Sequence, residues 1–186
     1  MGRWEPNARG RLERAAMELY TERGFDQTTV AEIAERAGLT KRTFFRHYTD
    51  KRDVLFSGAV VMQAAVVKAV AGAPDSATPL AAVAAGLDAA ADLLQERGDG
   101  PRYRYAIIVA NPELQERELV KLAALAAAVA DALVDRGVED RTARLAAEVG
   151  VGVFKVAFVT WIADPDRHDI GHLIREAFTD LRAVTR

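Results

Sequence analysis

No cysteine occurs among the 186 residues, which removes disulfides and thiolate metal ligands and fits a reducing, cytoplasmic compartment. Serine is almost as scarce. Ser57 and Ser76 have no nucleophile-elbow context and no histidine near them in sequence, so serine-hydrolase chemistry has no footing. No apolar run reaches the roughly eighteen residues of a membrane span, and no basic-then-apolar leader is present; the expectation is a cytoplasmic protein without a membrane partner. The Gly150-Val-Gly152 fragment lacks the third glycine of a dinucleotide loop and follows no strand. Neither an enzyme nor a cofactor is expected. Strand-like alternation never survives more than a few residues, so the chain reads as all-α.

Half of the residues are apolar, enough for a sizeable core. The formal charge of −2 is unevenly spread: residues 1–56 carry 11 Lys/Arg against 9 Asp/Glu, and residues 57–186 carry 14 against 18. The basic excess therefore lies near the N-terminus, which mildly favours nucleic-acid contact there, and a head so weakly basic needs two copies acting together for useful affinity.

Glycine and proline cut the remainder into helices. Asp50 caps a helix predicted over 51–71, ended by Gly72, Pro74 and Pro79. Further helices are expected over 80–97, 102–109, 112–135, 140–163 and 167–184. With three more before residue 50 the total is about nine. The alanine-rich stretches 81–91 and 123–132 favour helix and close packing without implying a function.

The stretch 28–56 carries the most information. Thr28 and Thr29 can cap a helix bearing apolar Val30, Ile33, Ala34 and Ala37, and Gly38 ends it where a left-handed residue is needed. Thr40 caps a second short helix, whose outward residues Thr40, Lys41, Arg42 and Thr43 are placed as a recognition helix presents bases. This is a helix-turn-helix pattern.

These residues resemble the N-terminal signature of the tetracycline-repressor (TetR) family of bacterial regulators. The matching positions are Thr29, Ile33-Ala34, Ala37-Gly38, Thr43, Phe44-Phe45, His47, Tyr48 and Lys51, preceded by the apolar stripe Leu12, Ala15, Ala16, Leu19, Tyr20 and by Arg23-Gly24-Phe25. The resemblance covers about the first third of the chain. It implies a three-helix DNA-binding head over 1–50 and a helical ligand-binding and dimerisation domain over 51–186. The partners implied are a double-stranded palindromic operator, a second copy of the chain and a small-molecule effector. A ligand would shift the two recognition helices from the roughly 34 to 36 Å spacing that successive major grooves require, releasing a repressor. Thr40, Lys41, Arg42, Thr43 and Phe44 are expected to face the major groove, with Thr29, His47, Tyr48 and Lys51 on phosphates; His47 is alternatively a structural bond. Two departures stand out: Phe45 occupies a position usually held by Tyr, and Arg42, where small residues are common, can pair bidentately with guanine.

Over 145–162 apolar residues fall on nearly every face, more than one core-facing stripe needs. Val149, Val153 and Val156, with Ile170, Ile174, Ala177, Phe178 and Leu181 of the last helix, are the expected dimer surface, and Gly150 and Gly152 would admit another helix; the alternative buries both faces within one chain. An effector is expected near Met62, Tyr103, Tyr105, Phe154, Phe158 and Trp161, although the last three suit ordinary core better than a cavity wall. Met62, Val66 and Val70 make the helix after Asp50 the natural lever. His168 and His172, spaced i, i+4 among aspartates, leave a helical metalloprotein as one alternative, and a DNA-binding regulator without small-molecule control is the other. The primary reading names no metal.

Overall fold

The computed structural model describes residues 7–164, 166 and 169–184. Among them the chain forms ten helices and no strand. They are α1 (Ala8–Arg23), α2 (Val30–Arg36), α3 (Lys41–His47), α4 (Lys51–Leu55), α5 (Ala59–Ala71), α6 (Pro79–Gln95), α7 (Gly100–Val109), α8 (Pro112–Asp135), α9 (Asp140–Ala163) and α10 (Ile170–Val184).

The extra helix arises from a break. The single helix expected over 51–71 is two, because Phe56 leaves helical geometry (φ −104°, ψ 9°) and bonds back to Asp53 and Val54, tightening the turn. Phe56 is buried beside Val54 and Leu55, so apolar burial holds the chain in this turn, and Gly58 follows it. Pro79 likewise differs from its expected role as a breaker. It is the first residue of α6, where its missing N–H is no loss, and the Thr78 side chain accepts from the Ala81 N–H at 3.2 Å.

Two compact units result. The first comprises the chain up to Gly58 together with Arg102–Gln115. Its core gathers Leu12, Ala16 and Leu19 of α1, Ile33 of α2, Phe44 of α3, the α4 residues Val54 and Leu55, and also Ile108 and Leu114. The boundary expected at residue 50 thus falls inside this unit, which recruits a segment from far along the sequence. Arg104 fastens that segment by donating to the Leu55 carbonyl at 2.7 Å while its guanidinium lies 5.0 Å from the Phe56 ring centroid. Arg52 adds an ion pair with Glu113 at 3.3 Å.

The second unit holds Ala59–Pro101 and Glu116–Arg186. Val66, Val70, Val83, Leu87, Leu133, Ala147, Ile170 and Ile174 are among its buried core. Small residues set the helix crossings: a Cβ on Gly86 would lie 2.8 Å from Val70 Cγ2, and one on Gly150 would overlap Val83 Cγ1. The partner that Gly150 admits is therefore α6 of the same chain. Gly152 faces open space. By length and composition α9 could cross a membrane, with a mean hydropathy of 1.7 over its best eighteen residues, which the sequence reading did not anticipate because Glu148 and Lys155 interrupt the run. Half of that window is buried within the protein, as a core helix requires.

Candidate nucleic-acid interface

The reading head is set by caps. The Thr29 hydroxyl accepts from the Glu32 N–H at 3.3 Å, and the Glu32 carboxylate accepts from the Thr29 N–H at 2.9 Å, a reciprocal capping box that fixes where α2 begins. Gly38 closes α2 at φ 64°, a conformation that suits glycine, and the Leu39 N–H reaches the Ala34 carbonyl at 2.8 Å. Arg11 on α1 donates to the carbonyls of Ala37 and Gly38, tying the turn to the first helix. Thr40 then caps α3, accepting from the Thr43 N–H at 3.2 Å, and the two threonine hydroxyls lie 3.1 Å apart. The entry angle of α3 is fixed from both sides.

Burial sorts the predicted contacts. Lys41 and Arg42 are exposed on α3, Thr40 is exposed at its cap, and Thr43 is half-buried. Phe44 is 0% exposed and belongs to the head's core, so its expected place in the groove is corrected; a side chain sealed between α1 and α2 reaches no base. Its neighbour Phe45 is 56% exposed and takes the outward position. Arg46, absent from the sequence-based set, is also exposed, one turn beyond Arg42. That periodicity was the signal available for it. Phe44 could have been placed similarly: it shares a helix face with Tyr48 four residues on, and their rings sit 5.6 Å apart.

Two expected phosphate contacts are corrected as well. Tyr48 is buried, and its hydroxyl donates to Glu13 at 2.8 Å with the Arg9 guanidinium 5.7 Å from its ring centroid. Burial, and then that carboxylate, push the phenol's pKa well above its usual value, so it remains a donor. Lys51 turns inward. Its Nζ donates to the carbonyls of Phe25 at 2.7 Å, Thr28 at 3.0 Å and Asp26 at 3.2 Å, capping the turn after α1. Thr29 is exposed at the start of α2 with its hydroxyl engaged in the cap, and His47 is exposed at the end of α3.

The other expected sites lie in different places. Ile170, Ile174 and Val153 are at most 6% exposed and pack in their own unit's core, which removes them from a dimer surface. Val149, Ala177, Phe178 and Leu181 are partly buried, and Val156 is 62% exposed. Among the effector candidates, Phe154 and Trp161 are core residues, with Phe158 stacked 5.8 Å from Phe154 and tilted against Trp161 at 6.0 Å. Met62 packs on the same cluster, while Tyr103, exposed, and Tyr105, half-buried, belong to the other unit. His168 lies outside the described residues, and His172 Nε2 pairs with Glu176 at 3.3 Å. Among the described residues no group of three or more His, Cys, Asp or Glu is placed to hold a metal ion.

Comparison with known proteins agrees with this arrangement. Residues 13–57 match the model of bacterial regulatory proteins of the tetR family, and residues 77–186 match the MftR C-terminal domain. The HTH-type transcriptional regulator TcmR of Streptomyces glaucescens is 36% identical over 75 residues, 40% of this chain and 33% of that protein. An uncharacterised HTH-type regulator of Mycobacterium bovis is 39% identical over 61 residues, 33% of this chain and 32% of its own. The match thus spans about a third of the length of these curated relatives. Solved structures share the fold over nearly the whole chain. The fatty acid degradation regulator FadR of Bacillus halodurans gives a TM-score of 0.61 at 17% identity, covering 95% of this chain and 94% of that one. Thermus thermophilus FadR, solved with lauroyl-CoA, gives 0.57 at 23% identity over 92% and 91% of the two chains, and a SmeT–triclosan complex gives 0.66 at 18% over 93% and 90%. With a helix-turn-helix head and a helical remainder each matched by its own family model, the chain belongs to the TetR family of bacterial transcriptional regulators.

Proposed function

We propose that the protein acts as a homodimeric repressor that docks α3 of each copy in successive major grooves of an inverted-repeat operator and lets go when a small molecule binds its helical unit. The observation that carries the DNA half of this reading is the outward face of α3, where Lys41, Arg42, Phe45 and Arg46 are exposed and no residue of the helix is acidic. Thr40, Lys41, Arg42 and Thr43 stand for base and backbone contacts from that face, with Thr29 and His47 at its flanks for phosphates. Three cations on one short helix are too few for useful affinity from a single head, so a second copy is part of the proposal.

A stripe on α9 supports that second copy. Leu145, Val149, Gly152, Val156 and Val159 recur at spacings of four and three, the seam of a helix pair, and Leu145 and Val156 are 65% and 62% exposed. Ala177, Phe178 and Leu181 of α10 extend the apolar surface, and the opposing helices would be the same two of the partner.

The effector half rests on family membership and on the apolar character of the helical unit. Related folds have been solved with lauroyl-CoA and with triclosan, both carrying large apolar bodies, and an amphipathic or apolar molecule suits a lining that draws on Met62, Phe154, Phe158 and Trp161. Leu114 and Glu113 at the start of α8 belong to the unit of the reading head, where Glu113 pairs with Arg52.

Selection of bound genomic fragments at two salt concentrations tests the reading, with a Lys41→Ala, Arg42→Ala double variant as control. Enrichment of an inverted repeat by the wild type alone is expected. A folded dimer that enriches nothing would refute it.

A further inference from the structure

Among described residues 7–58, Phe45 is the one large apolar side chain left exposed. Its neighbour Phe44 is wholly buried and meets it edge-on, with centroids 5.5 Å apart and planes at 82°, so the Phe45 ring is propped outward by the core. Lys41 and Arg42 stand one turn before it and Arg46 directly after it, all exposed. An exposed phenyl ring among three cations is an odd choice for a solvated helix face, where it wets an apolar surface for no local gain.

A phenyl ring offers a duplex no hydrogen bond. Its energetic contribution to a major-groove complex comes from burying apolar surface, and the apolar group that the groove presents on a base edge is the 5-methyl of thymine. We propose that Phe45 reads a thymine methyl group in each operator half-site, as a specificity-determining side chain rather than a phosphate contact. This rests on the docking of α3 in the major groove proposed above. The same chemistry extends to 5-methylcytosine, which carries an equivalent methyl at the equivalent position. Cytosine at that site then binds more weakly unless it is methylated.

The test uses full-length wild type, Phe45→Ala and Phe45→Leu on the selected operator, with helicity of the variants checked by circular dichroism. Each thymine is replaced singly by deoxyuracil, which deletes the methyl and nothing else. One position per half-site should lose about fourfold in affinity for wild type, and about fifteenfold when both halves are changed, the transfer free energy of one methyl group each. Phe45→Ala should bind thymine and uracil operators alike, and Phe45→Leu should keep part of the difference. Cytosine there should weaken wild-type binding and 5-methylcytosine should restore it. Specific binding with no uracil-sensitive position, or a sensitivity that survives in Phe45→Ala, overturns this assignment alone. A wild-type protein that binds no duplex specifically overturns the docking reading and the assignment together.

Discussion

The ammonium of Lys51 lies 4.3 Å from the centroid of the Phe25 ring and donates to the carbonyl of the same residue at 2.7 Å. With Thr28 and Asp26 also accepting, its three protons are spent inside the head. Lys51→Ala should therefore act first on stability. Leaving those carbonyls without their charged donor is expected to cost about 2 kcal/mol, read as a lower thermal midpoint. Operator affinity measured well below that midpoint should keep its salt dependence.

Lys41→Ala should do the reverse. Lys41 is exposed on the outward face of α3, so its loss leaves the midpoint unchanged and lowers the slope of log K against log salt by about one for each phosphate contact removed. Titrations of both variants at several salt concentrations separate the roles. A reduced slope for Lys51→Ala with an unchanged midpoint would return that residue to the phosphate backbone.

The contrast between these lysines also shows what the sequence could reveal. Local signals were legible: Thr29 at the N-cap of α2, Gly38 at the turn and Thr40 before α3 each act over a few residues and appear as expected, while the reciprocal bond from Glu32 at N3 was not singled out. Positions decided by burial were harder. Phe44 and Phe45 are adjacent and chemically identical, and only the spacing of Phe44 from Tyr48, four residues on, hints which one turns inward. Longer-range features left no trace. Arg104 and Glu113 join the head through Leu55 and Arg52, partners 49 and 61 residues away, and nothing in the local pattern distinguishes them from ordinary surface charges. The same holds for Ile170 and Ile174, whose amphipathic spacing fits a dimer seam as well as the core they occupy.

Acid should destabilise the protein through its caps. The Glu32 carboxylate is held below its ordinary value of 4.5 by the Thr29 N–H and hydroxyl, and Glu139 is lowered by the N–H groups of Arg141 and Thr142. A depressed carboxylate pKa contributes stability that is fully present above the unfolded value and is lost as pH falls through the folded one. Urea midpoints should hold from neutrality to somewhat above 4.5 and fall below it, with a shallower decline in a Glu32→Gln, Glu139→Gln variant. An identical decline in that variant would place the acid sensitivity elsewhere.

Three glycines on the helical unit should respond differently to alanine. Helix propensity alone favours the change by about 1 kcal/mol in a helix interior. At Gly86 a Cβ meets Val70 Cγ2 at 2.8 Å and the Val66 carbonyl at 3.2 Å, and at Gly150 it overlaps Val83. Overpacking there should reverse the sign, giving a net loss of about 1 to 2 kcal/mol in chemical denaturation. Gly152 has nothing within 4 Å in the single chain, so Gly152→Ala should not lower the stability of an isolated protomer.

The dimer proposal separates a valine and an isoleucine that the sequence groups together. Val156 is 62% exposed on the α9 stripe, whereas Ile174 is 1% exposed in the core. A glutamate at Val156 costs a single chain little, but two copies would each bury an unpaired carboxylate in the seam, about 2 kcal/mol or more apiece. Val156→Glu is thus expected to remain helical, to sediment as a monomer and to lose operator binding, since each head alone is weakly held. Ile174→Glu must bury its charge whether or not a partner is present, and should unfold the helical unit instead of releasing a folded monomer. Sedimentation velocity with parallel circular dichroism distinguishes the two. A Val156→Glu protein that still sediments as a dimer would move the interface off α9, and the stripe from Leu145 to Val159 would then need another occupant.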